Sequence, residues 1–161
     1  MDWAETERLT GMAHGREELA ETLGDLAATC RDAEEGYNKA AKGVHSDELR
    51  STLDKLSLER EQFARELDEH AAKFGGQPGQ TGHGGGVLHR GWVDLEQRIR
   101  PKDDTEILEN CVAGEQGSLN HYARALALAF DEEVLAVLRR QEAAIRHSVD
   151  QLRSVTVRSH S

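Results

Sequence analysis

Two glutamates stand where helical spacing predicts buried residues. Glu34 lies four residues after Cys30, and Glu115 lies four residues after Cys111. Because residues four apart share one side of a helix, both carboxylates are expected on an inner face. A buried carboxylate requires a cation, a metal ion or several hydrogen-bond donors. The pattern therefore predicts either a paired polar layer or a metal-binding site.

Four amphipathic helices are predicted to position these carboxylates. Apolar residues recur at steps of three and four, which places them along one side of a helix. The core positions are mostly Leu, Ala and Val, and no long apolar run occurs, which favours packed helices over a β-sandwich. The predicted apolar seams run from Leu19 to Val44, Leu49 to Phe74, Leu108 to Ala129 and Val134 to Val155.

Residues that favour helix ends mark the boundaries of these segments. Short oxygen-bearing side chains accept hydrogen bonds from the free N–H groups of a first turn. They are predicted to cap the second, third and fourth helices at Ser46, at Asp103 or Asp104, and at Asp131. Glycine commonly follows a helix, so Gly43 and the Gly75–Gly76 pair are expected to end the first two.

The connections select the topology of an all-α four-helix bundle. Short turns make the first two and the last two helices into hairpins, whereas residues 75–103 form a long connection. Seven of the twelve residues from 75 to 86 are Gly, and "LHRGWVDLEQRI" then predicts a short helix. A helix of about 25 residues is ~38 Å long, and this segment can cross that length. The prediction is a ferritin-like bundle with the second and third helices parallel.

The chain is predicted to have three parts. Residues 1–15 are predicted to be a flexible N-terminus because Gly11 and Gly15 interrupt it. Residues 16–155 form the single bundle domain, with its crossover at 75–103. Residues 156–161 are expected to be a frayed tail.

An internal repeat relates the two hairpins at an offset of 81 residues. It matches Cys30 with Cys111, Glu34 with Glu115, and Arg60 with Gln141. The repeat predicts one buried polar layer to which all four helices contribute. Its predicted members are Glu34, Arg60, Glu115 and Gln141, with Tyr37 and Tyr122 close by.

Metal binding is the alternative interpretation of this layer. Di-iron proteins of the ferritin-like class use one Glu on each of two helices and Glu-x-x-His on each of the other two. Glu34 and Glu115 fit the first requirement, but none of the eight histidines follows a Glu at that spacing. An iron or manganese site would therefore consist of Glu34, Glu115, Glu61 and Glu142. Arg60 supplies a cation in place of a metal, which favours no cofactor and no catalytic residue.

The crossover carries a second group of residues whose side chains could bind a ligand. His89 and Arg90 precede Trp92 in "HGGGVLHRGW". A Gly-rich basic loop can cradle an anion, but the strand–loop–helix context of a P-loop is missing. We expect Trp92 to pack onto the bundle and His89 or Arg90 to bond to free helix-end carbonyls.

Composition limits the partners and the compartment. Thirty acidic and twenty basic residues give a net charge of −10, which disfavours nucleic acid and anionic membranes as partners. The acidic N-terminus lacks the basic start and apolar stretch of a signal peptide, so cytoplasmic residence is expected. Two cysteines on apolar helix faces are expected to be core residues. A homo-oligomer or a protein partner is left open.

Five segments together resemble a known family. "CRDAEEGYNKAA", "LEREQFARELDEH", "FGGQPG", "LHRGW" and "GEQGSLNHYARAL" occur in this order between about Leu19 and Leu152. They resemble uncharacterised bacterial proteins classed as a ferritin-like four-helix-bundle domain of unknown function. The resemblance implies the bundle fold and a cytoplasmic bacterial setting. It implies no reaction.

Three functional hypotheses follow. The leading one is a non-enzymatic ferritin-like bundle that acts as a binding or stress-associated structural protein. The second is a di-metal carboxylate protein that binds iron or acts as an oxidase. The third is a helical adaptor or oligomerisation module.

Overall fold

Four long α-helices make up the regular structure of the described residues. The structure is a computed structural model that describes residues 2–76, 92, 103–128 and 130–159. Its helices are α1 (Trp3–Gly43), α2 (Asp47–Lys73), α3 (Asp104–Leu126) and α4 (Glu132–Ser159). The all-α class is therefore confirmed.

The predicted N-caps are present at three helix starts. The Ser46 hydroxyl accepts a hydrogen bond from the Leu49 N–H at 3.2 Å. Asp103 accepts one from the Glu106 N–H at 2.8 Å, and Asp131 accepts one from the Val134 N–H at 2.9 Å. Each bond satisfies a backbone donor that has no partner within its helix.

Glycine ends α2 as the sequence predicts. Gly75 has φ of 91°, a conformation that residues with a Cβ rarely adopt. Its N–H donates to the Ala72 carbonyl at 3.1 Å, and the Gly76 N–H donates to the Ala71 carbonyl at 2.9 Å. These two bonds form a Schellman motif, which satisfies the last carbonyls of the helix.

The outer helices are longer than predicted. α1 begins at Trp3, and the Asp2 side chain accepts a hydrogen bond from the Ala4 N–H at 3.3 Å. The segment predicted to be flexible is thus helical from Trp3 onward, because a glycine inside a helix costs only about 1 kcal/mol. Arg16 donates to the last α2 carbonyl, that of Lys73, at 3.0 Å. α4 likewise continues past 155 to Ser159.

Contacts between α1 and α3 show that these helices are antiparallel. Cys30 contacts Tyr122 and Tyr37 contacts Glu115. Near the end of α1, the His45 N–H donates to Asp104 at 2.7 Å. As α1 advances, its partners on α3 therefore come earlier in the chain.

α2 and α4 are antiparallel by the same criterion. Arg60 contacts Ser148, Glu66 contacts Arg140, and Lys73 contacts Glu133. Arg31 pairs with Asp68, and the Ser57 hydroxyl donates to the Glu34 carbonyl, so α1 is also antiparallel to α2. Since α1 is antiparallel to both α2 and α3, α2 and α3 run in the same direction. The end of α2 and the start of α3 lie at opposite ends of the bundle, in agreement with the predicted parallel arrangement.

The core is apolar along most of the bundle. Two clusters of buried side chains line it, one around Leu67 and Leu138 and the other around Leu53 and Leu108. In the part of the chain that the structure describes, no helix combines the length and apolarity needed to span a membrane.

Candidate functional site

A charged network crosses the bundle at Glu115. The carboxylate oxygen Oε1 of Glu115 accepts a hydrogen bond from the Tyr37 hydroxyl at 2.5 Å. It also accepts bonds from Arg60 Nε at 3.1 Å and from Arg60 Nη2 at 2.7 Å. All three residues are 0% exposed. The predicted pairing of Glu115 with Arg60 is therefore present in the structure.

Arg60 has further partners that satisfy its guanidinium. Nη2 donates to the Ser148 hydroxyl on α4 at 3.2 Å, and Nη1 donates to the Glu59 carboxylate. The guanidinium carbon lies 5.7 Å from the Tyr37 ring centre and 5.3 Å from the Phe63 ring centre. Contacts with aromatic faces add a cation–π attraction. The cation thus joins all four helices.

A second, neutral network of Tyr122, Cys30 and Gln141 lies further along the same core, and it ends at the charged Glu66 and Arg140. The Tyr122 hydroxyl donates to Gln141 Oε1 at 2.7 Å and lies 3.2 Å from Cys30 Sγ. Because that hydroxyl hydrogen is used for Gln141, the Cys30 thiol acts as the donor. Gln141 Nε2 donates to Glu66 at 2.8 Å, and Glu66 also accepts a bond from Arg140.

These two networks replace the single layer predicted from the repeat. Arg60 is level with Ser148 on α4, whereas Gln141 is level with Glu66 on α2. The six-residue step from Arg60 to Glu66 corresponds to about 9 Å along the helix. Antiparallel packing of the two hairpins turns repeat-related residues to opposite sides of the bundle centre. The repeat therefore produces two layers.

Glu34 is the one predicted layer residue that lies outside the core. It is only half-buried, and the charges around it are Glu61, Arg31, Arg65 and Glu35. Burial, followed by the charge of Glu61, raises the pKa of its carboxyl. The inner face of α1 passes through Ala33 and Tyr37, three and seven residues after Cys30. The prediction placed Glu34 on the inner face instead of Ala33, because residues three and four positions after Cys30 lie on nearly the same side of a helix.

The carboxylates of the alternative metal site are not brought together as a set. Glu115 is paired with Arg60, Glu61 with Arg65, and Glu142 with Arg146 at 3.5 Å. Within the described residues, no three His, Cys, Asp or Glu side chains gather in a group able to hold a metal ion. The donors that the structure offers at the core carboxylate are thus a guanidinium and a phenol.

Trp92 is packed between α1 and α3, as predicted for the crossover. Its ring is 5% exposed and lies edge-on to Tyr37 at 5.1 Å between centres. A Cβ on Gly36 would lie 2.0 Å from the ring, and one on Gly114 would lie 2.5 Å from it. Both glycines are therefore needed for this close approach. His89 and Arg90 lie outside the described residues.

Burial keeps the proton-bearing groups of both networks protonated. It raises the pKa of Cys30 to about 12 and the pKa of Tyr122 well above its usual value. Burial, then Glu115, raises the pKa values of Tyr37 and Cys111. For Arg60, burial lowers the pKa, but Glu115 and Tyr37 outweigh it and the net shift is upward. At neutral pH these groups are thus hydrogen-bond donors, and neither thiol is activated as a nucleophile.

Sequence reasoning missed several members of the site. Glu59 and Ser148 contact Arg60, and Glu66 contacts Gln141. Ser148 was recognisable as a polar residue on the predicted inner seam of α4. No sequence pattern indicated Glu59 or Glu66, because both lie at the edge of the buried face of α2 and not on its predicted apolar seam. Gly36 and Gly114 were identifiable only after the position of Trp92 was known.

The fold and these networks define an all-α bundle with a buried, hydrogen-bonded polar centre. A family model described as "Domain of unknown function (DUF2383)" matches residues 18–128. The match covers more than half of the chain, which therefore belongs to this family. No curated protein matches the chain.

Proposed function

We propose that this chain is a non-enzymatic, ferritin-like four-helix-bundle protein that acts as a binding or stress-associated structural protein. The parallel direction of α2 and α3 supports the ferritin-like assignment, because it requires one long crossover. A bacterial, cytoplasmic setting belongs to the same proposal through the sequence resemblance.

The salt bridge between Arg60 and Glu115 carries the proposal. Di-metal proteins of this class place cations among carboxylates at the bundle core. Here the core cation is a guanidinium, with Nη2 2.7 Å from the Glu115 carboxylate. A guanidinium is not deprotonated at physiological pH. The charge that a metal would compensate is already compensated by a covalently fixed group.

The protonation states of the site support the same proposal. Tyr37 and both cysteines have raised pKa values, so at neutral pH they are a phenol and two thiols. A general base or an activated nucleophile requires the opposite, a pKa close to the working pH. The groups are suited to holding the helices together.

Metal analysis tests this proposal. The protein is produced with iron and manganese available, purified without chelator and analysed for bound metal and for ferroxidase activity. We expect neither a stoichiometric metal nor activity. Near-stoichiometric iron or manganese that is lost in Glu115→Gln and in Glu61→Gln, and retained in a Glu69→Gln control at an exposed position, would refute the proposal and establish the di-metal alternative.

A further inference from the structure

The two oxygens of the Glu115 carboxylate have very different surroundings. Oε1 accepts three hydrogen bonds, from the Tyr37 hydroxyl and from two nitrogens of Arg60. Oε2 is buried, and no described protein group donates to it. A fully buried carboxylate oxygen without a donor is costly, and folded proteins rarely leave one unsatisfied. The free oxygen therefore points to a bound donor.

Cys111 is the neighbouring polar group on the same helix. It lies four residues before Glu115, so the two side chains are adjacent on the inner face of α3. Both residues are 0% exposed, and Cys111 is a free thiol. The charge of Glu115 acts on the Cys111 thiol and raises its pKa. A guest at Oε2 would thus have a second polar neighbour, which a buried water normally requires.

Charge restricts the chemistry of this guest. Arg60 already neutralises Glu115, and its guanidinium is held 2.7 Å from Oε1. An ammonium or metal cation at Oε2 would stand close to that fixed positive charge in a site of low dielectric constant. A neutral donor avoids this repulsion. It must also be small, because Glu115 and the neighbouring Cys111 are both 0% exposed.

We propose that Glu115 Oε2 binds one internal water molecule, which also contacts the Cys111 thiol. The water donates one hydrogen to Oε2 and completes the hydrogen bonding of the carboxylate. The charged network would then consist of Arg60, Tyr37, Glu115 and this water. The site differs from a metal site in that its guest is neutral.

A high-resolution crystal structure of the full chain tests the proposal directly. We expect an electron-density peak about 2.6–3.2 Å from Oε2, without anomalous signal at the iron or manganese edges. A protein donor at that distance, including a rotated Arg60 that binds both oxygens, would overturn it and leave the proposed function intact. So would an Oε2 with no peak at all. A peak with anomalous signal would overturn both proposals.

Oxygen-17 relaxation dispersion provides the matching measurement in solution, because it counts long-lived internal waters. The Arg60→Met/Glu115→Leu pair removes both charges together and is expected to lose one such water relative to the parent. Tyr122→Phe is the control, since it alters the neutral network and should retain the water. An unchanged count in the charge-free pair would overturn the proposal. If that pair fails to fold, the crystal structure of the parent still decides.

Discussion

The two buried networks both place hydrogen-bonded polar side chains inside the core, but one is charged and the other is neutral. In one, Arg60 and Glu115 carry full charges and meet inside the core at 2.7 Å. In the other, Tyr122 and Gln141 are neutral and share one hydrogen bond of 2.7 Å. Arg60 and Gln141 correspond in the internal repeat, so the same position carries a charged side chain in one hairpin and a neutral side chain in the other. A buried charge that loses its partner therefore destabilises the core much more than a neutral amide does.

The largest expected effect comes from breaking the charged network alone. Arg60→Met leaves the Glu115 carboxylate buried without its cation, and we expect the free energy of unfolding to fall by about 3–5 kcal/mol. Gln141→Met removes the hydrogen bonds of a neutral amide, one of them to the Glu66 carboxylate, and should cost about 1–3 kcal/mol. Urea unfolding of both variants and of the parent provides the measurement.

A rescue experiment separates pairing from general damage. Adding Glu115→Gln to Arg60→Met removes the unpaired charge, so much of the lost stability should return as a favourable coupling energy. Adding Glu34→Gln instead should contribute only its own small additive effect, without coupling energy, because Glu34 lies outside the core. Arg65→Met is the exposed control. Strict additivity of Arg60→Met and Glu115→Gln would show that the two side chains do not interact.

A substitution that displaces Trp92 is expected to disturb the charged network indirectly. A methyl group on Gly114 would clash with the indole at 2.5 Å, and overpacking of this kind costs about 1–3 kcal/mol. Since Trp92 packs against Tyr37, Gly114→Ala should weaken the charged network and shift Trp92 fluorescence in a Trp3→Phe background. Gly117→Ala is the matched control, because nothing lies within 4 Å of its added Cβ. Equal stabilisation by both substitutions would contradict the packing described for Trp92.

Two Tyr→Phe variants, each of which removes one hydroxyl group, allow the two networks to be compared. Tyr37→Phe removes a hydrogen bond to a charged carboxylate, which we expect to cost about 1.5–3 kcal/mol. Tyr122→Phe removes a bond to a neutral amide and should cost about 0.5–1.5 kcal/mol. Thermal and urea unfolding measure the difference. Equal costs, or a larger cost at Tyr122, would mean that the charge on Glu115 adds nothing to its hydrogen bonds.

The smallest effects come from two partly exposed carboxylates with opposite pKa shifts. Burial and Glu61 raise the pKa of Glu34, so its folded form binds a proton more readily than its unfolded form. Stability then falls as pH rises through that raised pKa, and Glu34→Gln should stabilise the protein modestly at neutral pH. The gain should disappear below the usual Glu pKa of about 4.3.

Glu66 should respond in the opposite sense. Burial acts to raise its pKa, but hydrogen bonds from Arg140 and Gln141 outweigh burial and lower it. Its contribution to stability is present above the usual Glu pKa and is lost as pH falls through the lowered value. Glu66→Gln should therefore destabilise the protein at neutral pH, with a difference that shrinks in acid. Unfolding midpoints between about pH 3 and pH 7 test both variants, and parallel responses would refute the assigned shifts.

The sequence predicted those features that depend on short-range chemistry. Ser46 and Asp131 have the side chains that cap a helix, and Gly75 has the freedom that a left-handed helix end requires. The length of the connection predicted the parallel direction of α2 and α3. Arg60 was recognisable because a cation stood on an otherwise apolar seam.

The misplaced residues depend on packing that spacing alone does not determine. Glu34 and Ala33 are both compatible with the face of Cys30, and only the neighbours on α2 decide which one is buried. Gly11 and Gly15 were taken as helix breakers, although α1 continues through them. Gly36 and Gly114 form the slot for Trp92 only after α1 and α3 have packed together. The sequence carries no local signal for such a contact.

The long separation of the network's partners along the chain implies an order of folding. Tyr37 and Glu115 are 78 residues apart, and Arg60 and Ser148 are 88 apart, whereas each hairpin closes over a short turn. Closing long loops costs more entropy than closing short ones, so we expect the hairpins to form before they dock. Arg60 then keeps its hydration until docking, and dehydrating its guanidinium belongs to the last step of folding. Substitutions at Arg60 should accordingly change the unfolding rate more than the folding rate.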